Sequence, residues 1–331
     1  MRNVVSICMV MMLFIVSCEK AIIKEDKQNP VAVFESLWHA MDTRYALFTY
    51  KKVDWKEAYR KYRPMVSDKT STGELFDICT AMLDQLMDGH VALINGEQKH
   101  TYTGYYNSYP HNFNFGLLKE KYLPGINYQG TLAYTFIEQF GYLHIPSFGE
   151  ELTLADIDRV FEKLADVQGL IIDVRDNGGG GSLKVDRIVE KLLPEKMLLK
   201  YDIYKRGPGH DDFLPPEAKY LAPRHPVLAG KPMLILTNRR CFSSCNDFVL
   251  YMSELPNAVI IGDQTGGGSG TPFDYELPNG WVLKYAASMA VSVEGTNIEG
   301  GIAPDYFISN SLDDESNGRD AIFKFALEHL Q

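Results

Sequence analysis

Gly169-Leu170-Ile171-Ile172-Asp173-Val174-Arg175 runs directly into Asp176-Asn177 and four consecutive glycines, Gly178 to Gly181. A short, nearly continuous apolar run bounded by turn residues reads as a strand buried on both faces, the pattern of a parallel sheet flanked by helices. The glycines mark a turn in which backbone angles closed to other residues are available. Beyond them the spacing predicts a helix near Leu183 to Leu193. The same alternation continues on both sides: a strand over Tyr142 to Ile145, a helix from Leu154 to Leu164 capped by Thr153, a strand from Met233 to Thr237, a helix near Asn246 to Met252, and a strand from Ala258 to Ile261. This order predicts an α/β layered core. Trp281 to Val293 adds antiparallel strands, and Arg319 to Leu330 closes the chain as an amphipathic helix.

Upstream the period changes from strand to helix. Phe34, Leu37, Trp38 and Met41 share one helical face, and Leu75, Cys79, Met82, Leu83 and Leu86 share another. Ser71 followed by Glu74 fits a capping box at the start of the second helix, and Gly89 is expected to stop it. A shorter helix is expected from Trp55 to Tyr62, ending at Pro64. Residues 91–135 are rich in Tyr, Asn and Gly and predict only short strands.

The chain has 331 residues, 45% hydrophobic and 23% charged, which supplies a sizeable core and excludes a disordered or fibrous protein. Its net charge of −10 argues against a nucleic-acid binder held by phosphate contacts. Met1-Arg2-Asn3 precedes an apolar stretch over 4–16, the length of a signal-peptide core and too short to span a bilayer. Ile15-Val16-Ser17-Cys18 follows and resembles the lipobox of bacterial lipoproteins, which implies lipidation at Cys18; an ordinary secretory signal is the alternative. The polar, mixed-charge residues after Cys18 read as a tether. Of five cysteines, Cys8 would leave with the signal, and Cys79, Cys241 and Cys245 remain. That odd set lacks zinc-site spacing. Cys241 and Cys245 are expected in one buried turn, with a disulfide as the competing reading.

Neither glycine-rich loop fits phosphate chemistry. Gly178 to Gly181 lacks the dinucleotide fingerprint, because position 183 is Leu, and the loop Gly262 to Gly270 lacks the lysine of a P-loop. A nucleotide is therefore not expected. The segment Thr237-Asn-Arg-Arg-Cys-Phe-Ser-Ser-Cys-Asn-Asp-Phe248 places serines at the start of a helix after a strand and a sharp turn. Such a serine is either an ordinary cap or a nucleophile, and the second reading needs a histidine base. Among eight histidines, His90 is singled out by its place in Asp88-Gly89-His90, at a fixed junction between a helix and an apolar strand.

Taken together, Leu86-Met-Asp-Gly-His90, Gly141-Tyr-Leu-His-Ile-Pro-Ser-Phe148, Leu170-Ile-Ile-Asp-Val-Arg-Asp-Asn-Gly-Gly179, the 237–247 segment, Gly262-Asp-Gln-Thr-Gly266 and Ile298-Glu-Gly-Gly-Ile-Ala-Pro-Asp305 resemble the tail-specific, or C-terminal-processing, serine peptidases. Six ordered blocks span nearly the whole body. The resemblance implies a crotonase/ClpP-like core of stacked ββα units with a helical N-terminal domain. It divides the chain into a signal peptide (1–17), a tether (18–30), a helical domain (31–90), a connecting β-rich segment (91–135) and a catalytic core (136–331).

The loop after the nucleophile helix, Thr265-Gly-Gly-Gly-Ser-Gly270, lacks the lysine of the Ser–Lys peptidases, so the chain is more similar to the tricorn-like branch. By that resemblance Ser244, three residues before Asp247, is the nucleophile, His90 the general base and Glu299 the carboxylate that orients it. Cys245 and Gly178 or Gly179 would supply oxyanion amides. The serine that precedes the histidine in tricorn is Gly89 here, which leaves the link from His90 to Glu299 to a direct contact or a water. Only the 51 residues 91–141 separate His90 from Tyr142, too few for the PDZ domain that relatives carry there.

The expected function is that of an envelope-anchored serine peptidase acting on polypeptides, held to a membrane through Cys18, with no metal or organic cofactor and no nucleic-acid partner. A non-catalytic module holding an apolar ligand or peptide on the same fold is the competing reading, and Cys245 as nucleophile is a minor one.

Overall fold

The computed structural model describes residues 29–330; the expected signal peptide and Cys18 lie outside them. Its centre is a seven-stranded sheet. In spatial order the strands are Tyr306–Phe307, Ala258–Gly262, Met233–Thr237, Leu170–Asp173, Phe140–His144, Leu132–Ile137 and Asn127–Gln129. The first five are mutually parallel, and the last two pair antiparallel.

Side chains alternate between two cores, as the two-residue period of a strand requires. Leu170, Ile172, Met233, Ile235 and Ile260 join one cluster with Val160, Val189 and Phe248 from the helices Leu154–Lys163, Ser182–Glu190 and Ser244–Ser253. Their neighbours Ile171, Leu234, Leu236 and Ile261 join a second cluster with Leu118 and Phe323, from the helices Phe115–Lys121 and Ala321–His329. Leu170, Ile171 and Ile172 are all fully buried, which is why this strand reads as unbroken apolar sequence rather than as an alternation.

The N-terminal helices Pro30–Arg44, Trp55–Tyr62 and Thr72–Leu83 form a third core. The capping box at Ser71 and Glu74 is present. Two expectations shift here. Helix one begins inside the expected tether, with Asn29 as its cap and Pro30 as its first residue. Helix Thr72–Leu83 passes into a short 3-10 turn, Asp84–Leu86, and it is Met87, at φ 47°, that turns the chain, two residues before Gly89. Gly89 is glycine because a Cβ there would stand 2.6 Å from Tyr105 and 2.8 Å from Phe242.

This helical core is not closed by its own residues. Trp281, Leu283 and Tyr285 pack into it, and the strand Val282–Ala286 pairs with Ala92–Ile94. Residues 91–135 hold the helices Gly104–Asn107 and Phe115–Lys121 as well as the short strands expected of them. The helical lobe and the α/β core are thereby joined by a hairpin from the far end of the sequence, along whose seam the site lies.

Candidate active site

The end of the strand Met233–Thr237 is fastened before it turns. The Asn238 amide side chain accepts from the N–H groups of Asp176 and Arg240 and donates to Asp176 and to the His111 carbonyl. Phe242 N–H then donates to the Asn177 carbonyl, and Ser243 N–H to that of Gly267, which pins the turn between both glycine-rich loops. Ser243 is the cap of the helix Ser244–Ser253 and sits at φ 59°, ψ −127°. A non-glycine residue there carries strain of about 1–3 kcal/mol, sustained because the surrounding contacts over-determine it. The strain has a geometric result: the hydroxyl is lifted clear of the turn at the positive end of a helix.

His90 Nε2 lies 2.9 Å from Ser243 Oγ. The imidazole is placed by its own sequence neighbours. Asp88 Oδ1 accepts the His90 backbone N–H at 2.7 Å, and Asp88 Oδ2 accepts the Tyr45 hydroxyl at 2.7 Å. The Phe242 ring stands 4.7 Å from the imidazole. Burial lowers the His90 pKa; Asp88 opposes that shift and Lys51 adds to it, so the ring is held neutral and able to take a proton. Its Nδ1 is buried and has no hydrogen-bond partner among the described residues.

The structure therefore brings His90 to Ser243, not to Ser244. Ser244 is the first residue inside the helix, and its hydroxyl donates to the Gly180 carbonyl at 2.8 Å. Counting three residues back from Asp247 lands inside the helix, whereas the hydroxyl that meets the imidazole belongs to the cap. Asp247 itself pairs with Lys200 at 3.1 Å. Cys245 is fully buried, and burial holds its thiol well above the ordinary thiol range, which removes it as a nucleophile. Cys241 and Cys245 are buried free thiols, Cys241 in the turn and Cys245 already inside the helix Ser244–Ser253, not both in the turn as expected.

Two of the three expected oxyanion amides are occupied. Cys245 N–H donates to the Phe242 carbonyl at 3.1 Å, and Gly179 N–H to Asn177 Oδ1 at 2.9 Å. The Gly178 amide and, unforeseen, that of Ser244 have no acceptor among the described residues. Gly179 serves by shape: it is at φ 96°, and a Cβ there would stand 2.6 Å from the Phe242 carbonyl and 2.9 Å from both Ser243 Cβ and Ser244 N. Gly179→Ala would push the Ser244 amide out of place and should slow fluorophosphonate labelling of the chain by at least about 100-fold, the scale of losing that oxyanion donor, with circular dichroism unchanged.

Glu299 is 5% exposed and makes no hydrogen bond to His90. Its Oε2 accepts the Ser269 N–H at 2.8 Å and its Oε1 lies 2.7 Å from Lys51 Nζ. Burial, reinforced by Asp88, pushes its pKa up to about 7, and Lys51 and the Ser269 amide pull against that rise. The sequence gives no sign of Lys51: as one of two adjacent lysines, Lys51 and Lys52, at the end of a four-residue helix it carries no periodic or motif signal. Asp88 was legible only as part of the block around His90.

Ser243 opens onto a cleft of about 460 Å³, lined also by Gly180, Lys200, Asp247, Gly268 and Thr271. Lys200 bridges Asp202 and Asp247 at 3.0 and 3.1 Å, so the cleft wall is charged and hydrogen-bonding rather than apolar. Among the described residues no group of three or more His, Cys, Asp or Glu side chains is placed to hold a metal ion.

Known proteins resemble this chain in sequence and in fold. The sequence model of peptidase family S41 matches residues 139–308, and that of the tricorn protease C1 domain matches residues 26–84. The tricorn protease of Thermoplasma acidophilum is 29% identical over 193 residues, which cover 57% of this chain and 16% of that protein. The chain thus spans under a fifth of that relative's length. The crystal structure of a putative peptidase from Parabacteroides merdae is 38% identical, with a TM-score of 0.86 over 91% of this chain and 96% of that one. Mature CPAF in complex with lactacystin shares the fold at 11% identity, with a TM-score of 0.73 over 92% of this chain and 98% of that one.

Proposed function

The chain belongs to peptidase family S41, a family of serine-type peptidases, and on that premise we propose that it hydrolyses peptide bonds with Ser243 as nucleophile and His90 as general base. The observation that carries this reading is the 2.9 Å approach of His90 Nε2 to the hydroxyl of a strained helix cap that faces a cleft. His90 takes the Ser243 proton as the oxygen attacks the peptide carbonyl, then returns it to the leaving amine. The negative charge of the tetrahedral intermediate falls to the Ser244 N–H at the helix terminus and to the Gly178 N–H opposite. Water, activated by the same imidazole, releases the acyl group. Glu299 supports the imidazolium electrostatically from its place beside Lys51.

The polar, ion-paired cleft favours a peptide over an apolar ligand, because an apolar guest would strip water from Lys200, Asp202 and Asp247 without replacing its hydrogen bonds. Labelling the full-length chain in detergent with a fluorophosphonate tests the nucleophile: the wild type and Ser244→Ala are expected to label and Ser243→Ala is not. Equal labelling of the Ser243 variant would overturn the assignment.

The reading extends to an exported lipoprotein, anchored through Cys18 with its body in the cell envelope and acting on polypeptides. It rests on the Ile15-Val16-Ser17-Cys18 sequence behind its apolar segment. Cys18→Ala should move the protein from the membrane pellet to the soluble fraction on ultracentrifugation; full retention would contradict the anchor.

A further inference from the structure

Lys51 stands at the end of the short helix Phe48–Lys51, within the region matched by the tricorn C1 domain and outside the region matched by family S41. Its ammonium group nevertheless reaches the centre of the site. Nζ lies 2.7 Å from Glu299 Oε1 and donates to the Met87 carbonyl at 3.1 Å, immediately before the Asp88-Gly89-His90 turn. One side chain thus ties the loop that carries Glu299 to the turn that carries His90, and it does so from the helical lobe. The pair is largely removed from water, with side-chain exposures of 12% and 3%.

We propose that Lys51 is a positioning residue of the catalytic site, which pairs with the Glu299 carboxylate and registers its loop against the His90 turn, so that the α/β core depends on the helical lobe for a working base. The inference rests on the reading of Ser243 and His90 as the reacting pair.

The charges around Glu299 require such a partner. Asp88 acts on it from the turn and Tyr45 from the helical lobe, Tyr50 bears on Lys51, and Arg239 lines the same small cavity but is engaged with Asp263 at 3.1 Å. Lys51 is therefore the cation in contact with the Glu299 carboxylate. Burial works against the Lys51 charge, but Glu299 and Asp88 outweigh it and its pKa is raised, so it stays charged throughout the neutral range. Glu299, already pushed up to about 7 with Lys51 in place, would lose its main opposing influence without it. An opposite charge in contact is worth about 1–3 pKa units, and its removal drives the carboxyl toward the neutral form at pH 7. A neutral Glu299 no longer favours the imidazolium, and the rate falls on the acidic side.

The test is the pH dependence of fluorophosphonate labelling of the full-length chain in detergent, for wild type, K51M, K51Q, K51R and S243A. K51M and K51Q are expected to label at least about fivefold more slowly at pH 7 and to recover toward the wild-type rate by pH 9, an acidic limb displaced upward by one unit or more. K51R, which keeps the charge, is expected to restore the wild-type midpoint. A midpoint unchanged in the neutral variants, or a uniform loss at every pH, overturns the role of Lys51 while an unlabelled S243A keeps the nucleophile. Labelling of S243A at the wild-type rate defeats the underlying reading instead. Loss of the fold in both neutral variants, read by circular dichroism, assigns Lys51 to the scaffold and overturns the inference.

Discussion

Ser243→Ala should lower kcat for peptide hydrolysis by roughly 10⁴- to 10⁶-fold, while Ser244→Ala and Cys245→Ala should each stay within about tenfold of wild type. The asymmetry between adjacent residues is the point of the prediction. Ser243 is the cap whose positive φ aims its oxygen at His90; Ser244 is one residue further on, with its oxygen on the Gly180 carbonyl. Alanine at 244 keeps the backbone N–H that the mechanism uses and removes only a surface hydrogen bond. Alanine at 243 leaves imidazole, oxyanion amides and cleft in place but nothing to acylate. Steady-state hydrolysis of a casein or fluorogenic peptide, with active-site titration to fix the enzyme concentration, reads the difference; a Ser244→Ala loss as large as that of Ser243→Ala would sink the assignment.

Arg175→Leu should destabilise the fold by about 3–5 kcal/mol, measured by urea denaturation at pH 7. Arg175 is fully buried at the end of the strand Leu170–Asp173. Its Nε and Nη2 donate to the two oxygens of Asp173 at 2.9 and 2.7 Å, while Nη1 donates to Asp320 and to the Asn112 carbonyl. The Phe113 ring lies 4.6 Å from the guanidinium carbon. Leucine would leave Asp173 and Asp320, 0% and 1% exposed, without their cation, and uncompensated buried charge is what makes breaking such a network costly. Asp320 also accepts the Phe323 N–H at the start of the helix Ala321–His329, so the last helix loses part of its attachment to the sheet. Asp176, Asn177 and the glycine turn follow directly, and catalytic activity should fall with the stability. A loss below about 1 kcal/mol would show that the network contributes little beyond its own desolvation.

The elements written by local pattern were legible in the sequence. The strand Met233–Thr237 and the helix Trp55–Tyr62 have the expected limits, and the caps at Ser71 and Thr153 are formed. Each depends on residues a few positions apart, and their side-chain periods survive in any tertiary setting. His90 was also legible, because the Asp88 carboxylate that fixes its backbone is two residues away.

Ser243 was not separable from Ser244, since the two share composition and neighbourhood and differ only in which side of the first helical residue they occupy. The occupancy of the Cys245 and Gly179 amides was equally hidden, being set by the Phe242 carbonyl and the Asn177 side chain.

What the sequence by itself determined is therefore the layered α/β core, the position of the turn that bears the serines, and the histidine block, all encoded by short-range periodicity and by glycine and cap chemistry. What only the tertiary structure decided is which hydroxyl meets the imidazole, which amides remain free for an oxyanion, and that Lys51 and Glu299, 248 positions apart, form one buried pair. The backbone angles of one strained cap and a contact across the seam of two lobes leave no periodic trace in a chain; they arise only once the packed sheet and helices fix the two segments against each other.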